Sequence, residues 1–133
     1  MALKMTKRKN LTLTLLYNLK QNNQNQKREI MKNENKLIAE FMGMKYSDER
    51  SFDNGEWTHT IKSLSKFQTD WNWLMPVVEK IESLRDADGN AYRFLIDMCN
   101  VEIENTDIIV LGASYKRDAV YNAVVEFINQ YNK

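Results

Sequence analysis

The chain has 133 residues, of which 43% are hydrophobic and 11% aromatic, with one proline and four glycines, a composition typical of one folded domain. Its single cysteine, Cys99, excludes an intramolecular disulfide framework and a CxxC metal site, and fits a reducing cytoplasm. The net charge of +1 conceals an uneven distribution of charge. Residues 1–30 carry seven basic and one acidic side chain, whereas residues 31–133 carry twelve basic and seventeen acidic ones. Residues 31–133 are therefore not expected to bind nucleic acid.

The first thirty residues differ in pattern from the rest of the chain. Their apolar run, Leu11–Leu19, is too short to span a bilayer and lacks a signal-peptide cleavage site, and the polar segment QNNQNQKREI cannot bury a core. Codons for Lys27-Arg28-Glu29 can form a purine run of the kind that precedes a bacterial start codon. We therefore predict that residues 1–30 are a disordered or spurious basic extension, that Met31 is the natural initiator, and that 31–133 form a single α+β domain without membrane association. The alternative is a real basic tail that binds nucleic acid or a membrane surface.

A short helix is predicted over roughly residues 36–42, with Asn33 or Asn35 as its N-cap and a glycine after its end. Residues 44–56 are polar and contain a turn signal at Asp53-Asn54-Gly55, which indicates a loop. A short strand or extended segment should follow, because apolar and polar side chains alternate there: Trp57, Thr58, His59, Thr60 and Ile61.

The segment from Asp70 to Leu84, DWNWLMPVVEKIESL, predicts a strongly amphipathic helix with Thr69 or Asp70 as its N-cap. Its buried stripe is predicted at helical spacing, with three further apolar positions beside it. The stripe consists of Trp71, Leu74, Val78 and Ile81, widened by Trp73, Val77 and Leu84. Because Pro76 lacks the N–H that a helix interior needs, we expect one helix that is bent near its start.

Residues 92–111 predict three antiparallel strands, with a tight hairpin around Met98–Asn100 and a third strand at Asp107–Leu111. Ser114 is the expected cap of a final helix with an apolar stripe. That stripe is Val120, Ala123, Val124, Phe127 and Tyr131. Since the sheet needs apolar cover, the sequence predicts an α+β fold in which a small antiparallel sheet of three to four strands is sandwiched by two long helices and one short helix.

Three segments carry a family resemblance: NKLIAEFMG (35–43), DWNWLMPVVEKIE (70–82) and AVYNAVVEFINQYN (119–132). Together they resemble the phage ABA sandwich domain family, small phage and prophage proteins that are also common in gut Bacteroidetes. The resemblance covers roughly residues 33–132 and implies a three-layer α-β-α arrangement in a bacterial host cytoplasm. Family members begin just before the first segment, which also marks residues 1–30 as extra. The family has no known activity and supplies no catalytic residue, and the polar insert at 44–68 does not match it.

No motif in the chain indicates catalysis or metal binding. His59 is the only histidine and has no triad partner nearby in sequence, so we interpret it as a structural or surface residue. Cys99 is interpreted as a small half-buried residue. The segment Asp86–Asn90 begins like a calcium loop, but its glycine is misplaced and it lacks the final glutamate, which favours a turn. The acidic cluster on the sheet is expected on the solvated face rather than around Mg²⁺: Asp97, Glu102 and Glu104. We therefore expect no enzymatic activity, no cofactor and no metal.

Aromatic side chains supply one candidate binding surface, which comprises Trp57, His59 and Trp73. The indole rings of Trp57, Trp71 and Trp73 can stack on bases or on a small aromatic ligand, although aromatic residues at helical spacing more often belong to a core. Nearby basic side chains are offset by nearby acidic ones: Lys62 and Lys66 against Glu56 and Asp70.

A second candidate surface is Tyr115-Lys116-Arg117, at the predicted start of the last helix. The helix dipole favours an anion such as phosphate at this end. Simple exposure to solvent is the alternative interpretation.

The resemblance implies a non-enzymatic cytoplasmic accessory protein of phage or prophage origin. Such a protein binds a host or phage macromolecule, or sequesters a small ligand as a counter-defence factor does. The alternative is a nucleic-acid-associated protein that uses basic residues 1–30, and a third is a small hydrolase that uses Cys99 and His59. A sheet edge at 107–111 or 57–61 can pair with a second copy, which leaves a homodimer open.

Overall fold

The computed structural model describes residues 2–53 and 55–133. Along this part of the chain the helices are α1 (Ala2–Phe41), α2 (Lys66–Thr69), α3 (Trp71–Ser83) and α4 (Lys116–Tyr131), with a 3₁₀ turn at Ser63–Ser65. The strands are β1 (Tyr46–Ser47), β2 (Phe52–Asp53), β3 (Glu56–Trp57), β4 (His59–Thr60), β5 (Arg93–Asp97), β6 (Asn100–Glu104) and β7 (Ile109–Val110). The predicted α+β class is confirmed. No helix in the described residues is long and apolar enough to cross a membrane.

Helix α1 begins much earlier than predicted. The expected start near residue 36 is wrong, because no glycine or proline interrupts the chain before Gly43, and Asn33 and Asn35 therefore lie inside the helix. The predicted end is confirmed, since Gly43 adopts a left-handed conformation with φ of 70°.

The chain divides into two compact units, one ending at Asn33 and one covering Glu34–Lys133. Residues 15–30 are all exposed, whereas Ile38 and Ala39 near the end of α1 are fully buried. The assignment of residues 1–30 as a spurious extension and of 31–133 as one domain stays a prediction.

Helix α3 forms as one element where the sequence predicts it, and the expected bend near its start stays a prediction. Asp70 is its N-cap, and its carboxylate accepts a hydrogen bond of 2.9 Å from the backbone N–H of Asn72. The helix continues through Pro76, which is exposed, so the segment is one element. The centre of the predicted stripe is buried, whereas Trp71, Trp73 and Leu84 at its ends and side are only partly buried. The buried residues are Leu74, Val77, Val78 and Ile81.

The three-stranded sheet has the order β5-β6-β7, and both pairings are antiparallel, as predicted. Met98 and Cys99 form the two-residue loop of the first hairpin, with Met98 at φ of 53°. Phe94 pairs with Ile103 on the face that the core covers, and Leu95 pairs with Glu102 on the other face.

The described helices of residues 34–133 cover one face of this sheet. The buried side chains of α3 and α4 join Phe94 and Ile103 in one cluster, whereas Leu95 is 41% and Ile109 59% exposed on the opposite face. The resemblance implied helical layers on both faces, and residues 34–133 instead leave the Leu95 face open.

Helix α4 is the central helix of the domain. The predicted stripe of α4 is buried as far as Phe127. Tyr131 is 51% exposed, so the prediction that Tyr131 belongs to the buried stripe is wrong. Side chains outside the stripe are buried as well, namely Tyr121, Val125 and Ile128. A helix that is apolar on nearly all sides is enclosed by other elements, and α4 contacts the sheet as well as α2 and α3.

The predicted cap of α4 is also wrong. The N-cap is Tyr115 instead of Ser114, because the extended backbone of Tyr115 directs its carbonyl to the N–H of Ala119, at 3.1 Å.

Residues 44–56 contain short strands where a loop was predicted, and the short strand predicted at 57–61 is present as β4. β1 pairs in parallel with β4, through Tyr46 and His59, and β2 pairs with β3 through Phe52 and Trp57. Each strand has only two residues, which is too short for a periodicity signal. The predicted turn at Asp53-Asn54-Gly55 includes Asn54, which lies outside the described residues.

Candidate functional site

A pocket of about 400 Å³ lies between the short strands and the helices α2 and α3. We call it the tryptophan pocket. It is lined by Arg50, Trp57, Thr58, His59, Thr60, Ser63, Lys66 and Trp73. The structure therefore places three of the predicted surface residues, Trp57, His59 and Trp73, around one cavity.

Local sequence explains how these side chains converge. Trp57 and His59 are two residues apart in extended chain, so their side chains leave the same side of the backbone. The pairing of β4 with β1 fixes His59, and the Asp70 cap fixes the first turn of α3, which carries Trp73.

A hydroxyl cluster at Thr58 holds the base of the β2–β3 hairpin. Its Oγ1 accepts a hydrogen bond of 2.9 Å from the backbone N–H of Ser51 and lies 3.1 Å from the hydroxyl oxygen of Ser47. The backbone N–H of Thr58 also donates to the carbonyl of Ser51, at 2.8 Å. The strand that carries Trp57 is therefore tied to the chain before it.

Ring contacts set the orientation of the two tryptophans. The rings of His59 and Phe67 meet Trp73 nearly edge-on, with centroid distances of 5.4 and 5.2 Å. Phe52 contacts Trp57 at 5.1 Å. Such edge-to-face pairs are favourable and hold Trp73 half-buried, whereas Trp57 is 56% exposed and free to contact a ligand.

A cation lies over each indole ring. The guanidinium carbon of Arg50 is 4.7 Å from the ring centroid of Trp57, and Nζ of Lys66 is 5.4 Å from that of Trp73. The described lining side chains include no carboxylate. The pocket thus combines aromatic surface with positive charge.

Sequence reasoning missed the charge of this pocket. Arg50 carried no signal in a segment that was interpreted as loop, and Lys66 was expected to be offset by Asp70. The structure shows that the Asp70 carboxylate caps α3, and Asp70 does not line the pocket.

The other three predicted surface residues lie elsewhere. Tyr115 is 69% exposed and Lys116 is exposed, and neither lines the tryptophan pocket. The Nε of Arg117 donates a hydrogen bond of 2.6 Å to the carbonyl of Gln68, in the last turn of α2. Arg117 therefore holds α2 against α4, and its part in binding stays a prediction.

The open sheet face carries a second concavity, of about 430 Å³, next to Leu95, Ile109 and Leu111.

The acidic side chains of the sheet are solvent-exposed, as expected: Asp97, Glu102 and Glu104. Among the described residues, no group of three His, Cys, Asp or Glu side chains is placed to hold a metal ion.

The Asp86 carboxylate organises the turn that resembles a calcium loop. Its Oδ1 accepts from the backbone N–H of Asp88 and of Asn90, at 2.9 and 2.8 Å, and its Oδ2 accepts from Nδ2 of Asn105 at 2.9 Å. The hydrogen bond from the Asn105 amide lowers the pKa of Asp86 most, and the bond from the Asn90 N–H lowers it further. Both oxygens therefore serve the turn, which agrees with the interpretation from sequence.

Cys99 and His59 lie on different elements. Cys99 is half-buried in the loop between β5 and β6, whereas His59 packs on Trp73. Within the described residues no hydrogen bond joins them, so the structure offers no support for the hydrolase alternative.

Comparison with protein-family models, with curated proteins and with solved structures found no match to this chain. The resemblance to the phage ABA sandwich domain family stays a prediction.

Proposed function

We propose that this chain is a non-enzymatic binding protein whose ligand occupies the tryptophan pocket. The observation that supports this most is the placement of two indoles and two cations around one cavity of about 400 Å³. Small-molecule sites are usually concave, of ~300–1,000 Å³, and combine aromatic walls with a few polar groups. The resemblance extends the proposal to a phage or prophage accessory role, in which ligand sequestration serves counter-defence.

The charge of the lining supports an anionic or electron-rich ligand. Lys66 and Arg50 have no carboxylate partner among the described side chains of the pocket, and a ligand that supplies negative charge gains both interactions.

A second candidate function is nucleic-acid binding through residues 1–30. It is supported by exposed basic side chains on α1, at Lys20, Lys27 and Arg28.

Retention of small molecules from a bacterial metabolite extract tests the proposed function. The full chain is incubated with the extract, passed through a desalting column and examined by mass spectrometry. We expect the wild-type protein to retain a compound that the Trp57→Ala and Lys66→Gln variants lose. The Tyr115→Ala variant is the matched control, because Tyr115 is an exposed aromatic residue outside the pocket.

Circular dichroism verifies that each variant is folded, which the exposure of Trp57 and Lys66 favours. Retention of nothing, or retention that the Trp57→Ala and Lys66→Gln variants leave unchanged, would overturn the proposal.

A further inference from the structure

We infer that the ligand of the tryptophan pocket is a nucleoside monophosphate. This inference rests on the proposed function, since it specifies the chemistry of the molecule that the same site binds.

The aromatic part of the pocket fits a planar base. Trp57 is 56% exposed, so part of its indole ring remains accessible beside its contacts with Arg50 and Phe52. Every nucleobase offers a flat π-face for stacking on an indole, and this contact tolerates any base. The pocket therefore predicts a preference for aromatic bases over sugars or aliphatic acids.

The charged part of the pocket fits a phosphate monoester. Such a group carries a charge of about −1.5 to −2 at pH 7, which the two cations Arg50 and Lys66 match. A nucleoside triphosphate carries more negative charge than the two cations of the lining can neutralise.

The hydroxyls of the lining argue against an uncharged ligand. The Ser63 hydroxyl donates to the carbonyl of Thr60 at 2.8 Å, and the Thr58 hydroxyl is held within the Ser51 cluster. Neither is available as the main donor for a neutral nucleoside, whereas each of the two cations can donate to a phosphate.

Isothermal titration calorimetry on the full chain tests the inference. The titrants are AMP, GMP, CMP and UMP, with adenosine, ribose 5-phosphate, O-phosphotyrosine and a single-stranded hexanucleotide as comparison ligands. We expect at least one nucleoside monophosphate to bind with one-to-one stoichiometry. Adenosine should bind more weakly than AMP because it lacks the phosphate, and ribose 5-phosphate should do so because it lacks the base.

Two variants separate the two contacts. Trp57→Ala should weaken nucleotide binding about 10- to 100-fold, the range expected for one lost base stack. Lys66→Gln should weaken it by about tenfold or more while leaving adenosine binding unchanged. Tyr115→Ala and Lys62→Gln are the matched controls, since both side chains are exposed outside the lining, and both should bind as the wild-type chain does.

Four results would overturn the inference. These are the absence of binding by all four nucleotides at millimolar concentration, equal binding of AMP and adenosine, binding of O-phosphotyrosine as tight as that of AMP, and a strong preference for the hexanucleotide. If the nucleotides fail but the extract still yields a compound whose retention requires Trp57, only the ligand class is wrong. If the extract yields none, the proposed function is wrong as well.

Discussion

Replacing Tyr121 with phenylalanine removes one oxygen atom from the middle of the core. The Tyr121 hydroxyl donates a hydrogen bond of 2.7 Å to Oδ1 of Asn35, and the two residues are only 3% and 5% exposed. Phenylalanine keeps the ring and its packing, but it leaves the amide oxygen of Asn35 without its donor. An unsatisfied buried polar group costs about 1–3 kcal/mol, so we expect the free energy of unfolding to fall by that amount.

The neighbouring carboxyl adds a pH dependence to this prediction. Burial raises the pKa of Glu34, and the Tyr121 hydroxyl counteracts the rise. Burial and the Glu34 charge in turn raise the pKa of Tyr121. An acid with a raised native pKa destabilises the fold as the pH increases through that pKa. Through Glu34, both the wild-type chain and the Tyr121→Phe variant should therefore be less stable at pH 7 than at pH 4.

Urea denaturation followed by tryptophan fluorescence at both pH values measures the effect, and calorimetry should show a Tm lower by roughly 4–15 °C at pH 7. The matched control is Tyr131→Phe, at an exposed tyrosine, which should change the free energy of unfolding by less than about 0.5 kcal/mol. A double-mutant cycle with Asn35→Ala should give a coupling of about 0.5–3 kcal/mol. A Tyr121→Phe variant as stable as Tyr131→Phe, or an additive cycle, would refute the reasoning.

Four further tests concern other parts of the chain. Leu74→Ala should cost about 2–5 kcal/mol in chemical denaturation, because Leu74 is fully buried, whereas Ile109→Ala, at 59% exposure, should cost less than about 0.5 kcal/mol. Removal of residues 1–30 should leave the thermal unfolding of 31–133 cooperative, because residues 15–30 are exposed, and loss of cooperativity would contradict a single domain there. Equal weak DNA binding by the full and shortened chains, measured across salt concentrations, would remove the nucleic-acid candidate. The Asp86→Asn variant should lose less stability than the wild-type chain as the pH falls. A carboxyl with a lowered native pKa stabilises the fold above its unfolded pKa and loses that contribution in acid. If the free energy of unfolding falls equally with pH in both proteins, Asp86 does not contribute.

Local patterns in the sequence predicted much of the domain. The cap at Asp70, the buried stripe of α3 and the hairpin at Met98 all follow from contacts within a few residues of the chain. Apolar periodicity and capping residues predict such local structure well, because both depend on residues that are close in the sequence and share a face or a hydrogen bond. The start of α1 was predicted wrongly because the composition changes near residue 31, although no glycine or proline before Gly43 breaks the helix.

Of the candidate site, the sequence supplied the aromatic residues but not the cavity they form. Trp57, His59 and Trp73 meet only because β1 pairs with β4 and because α2 lies beside the first turn of α3. A strand of two residues is too short for its alternation of apolar and polar side chains to predict which strand it pairs with. The cations Arg50 and Lys66 join the rings by the same tertiary placement.

The amino-acid order by itself determined where α3, α4 and the β5–β6 hairpin form and which side of each is apolar, because those properties depend on neighbours in the chain. Only the tertiary structure decided which surfaces meet. Asn35 and Tyr121 are 86 positions apart and became partners in the core, and Arg117 bonds to Gln68 across 49 positions. An apolar stripe requires burial without specifying its partner, so these contacts depend on how all the buried faces pack together.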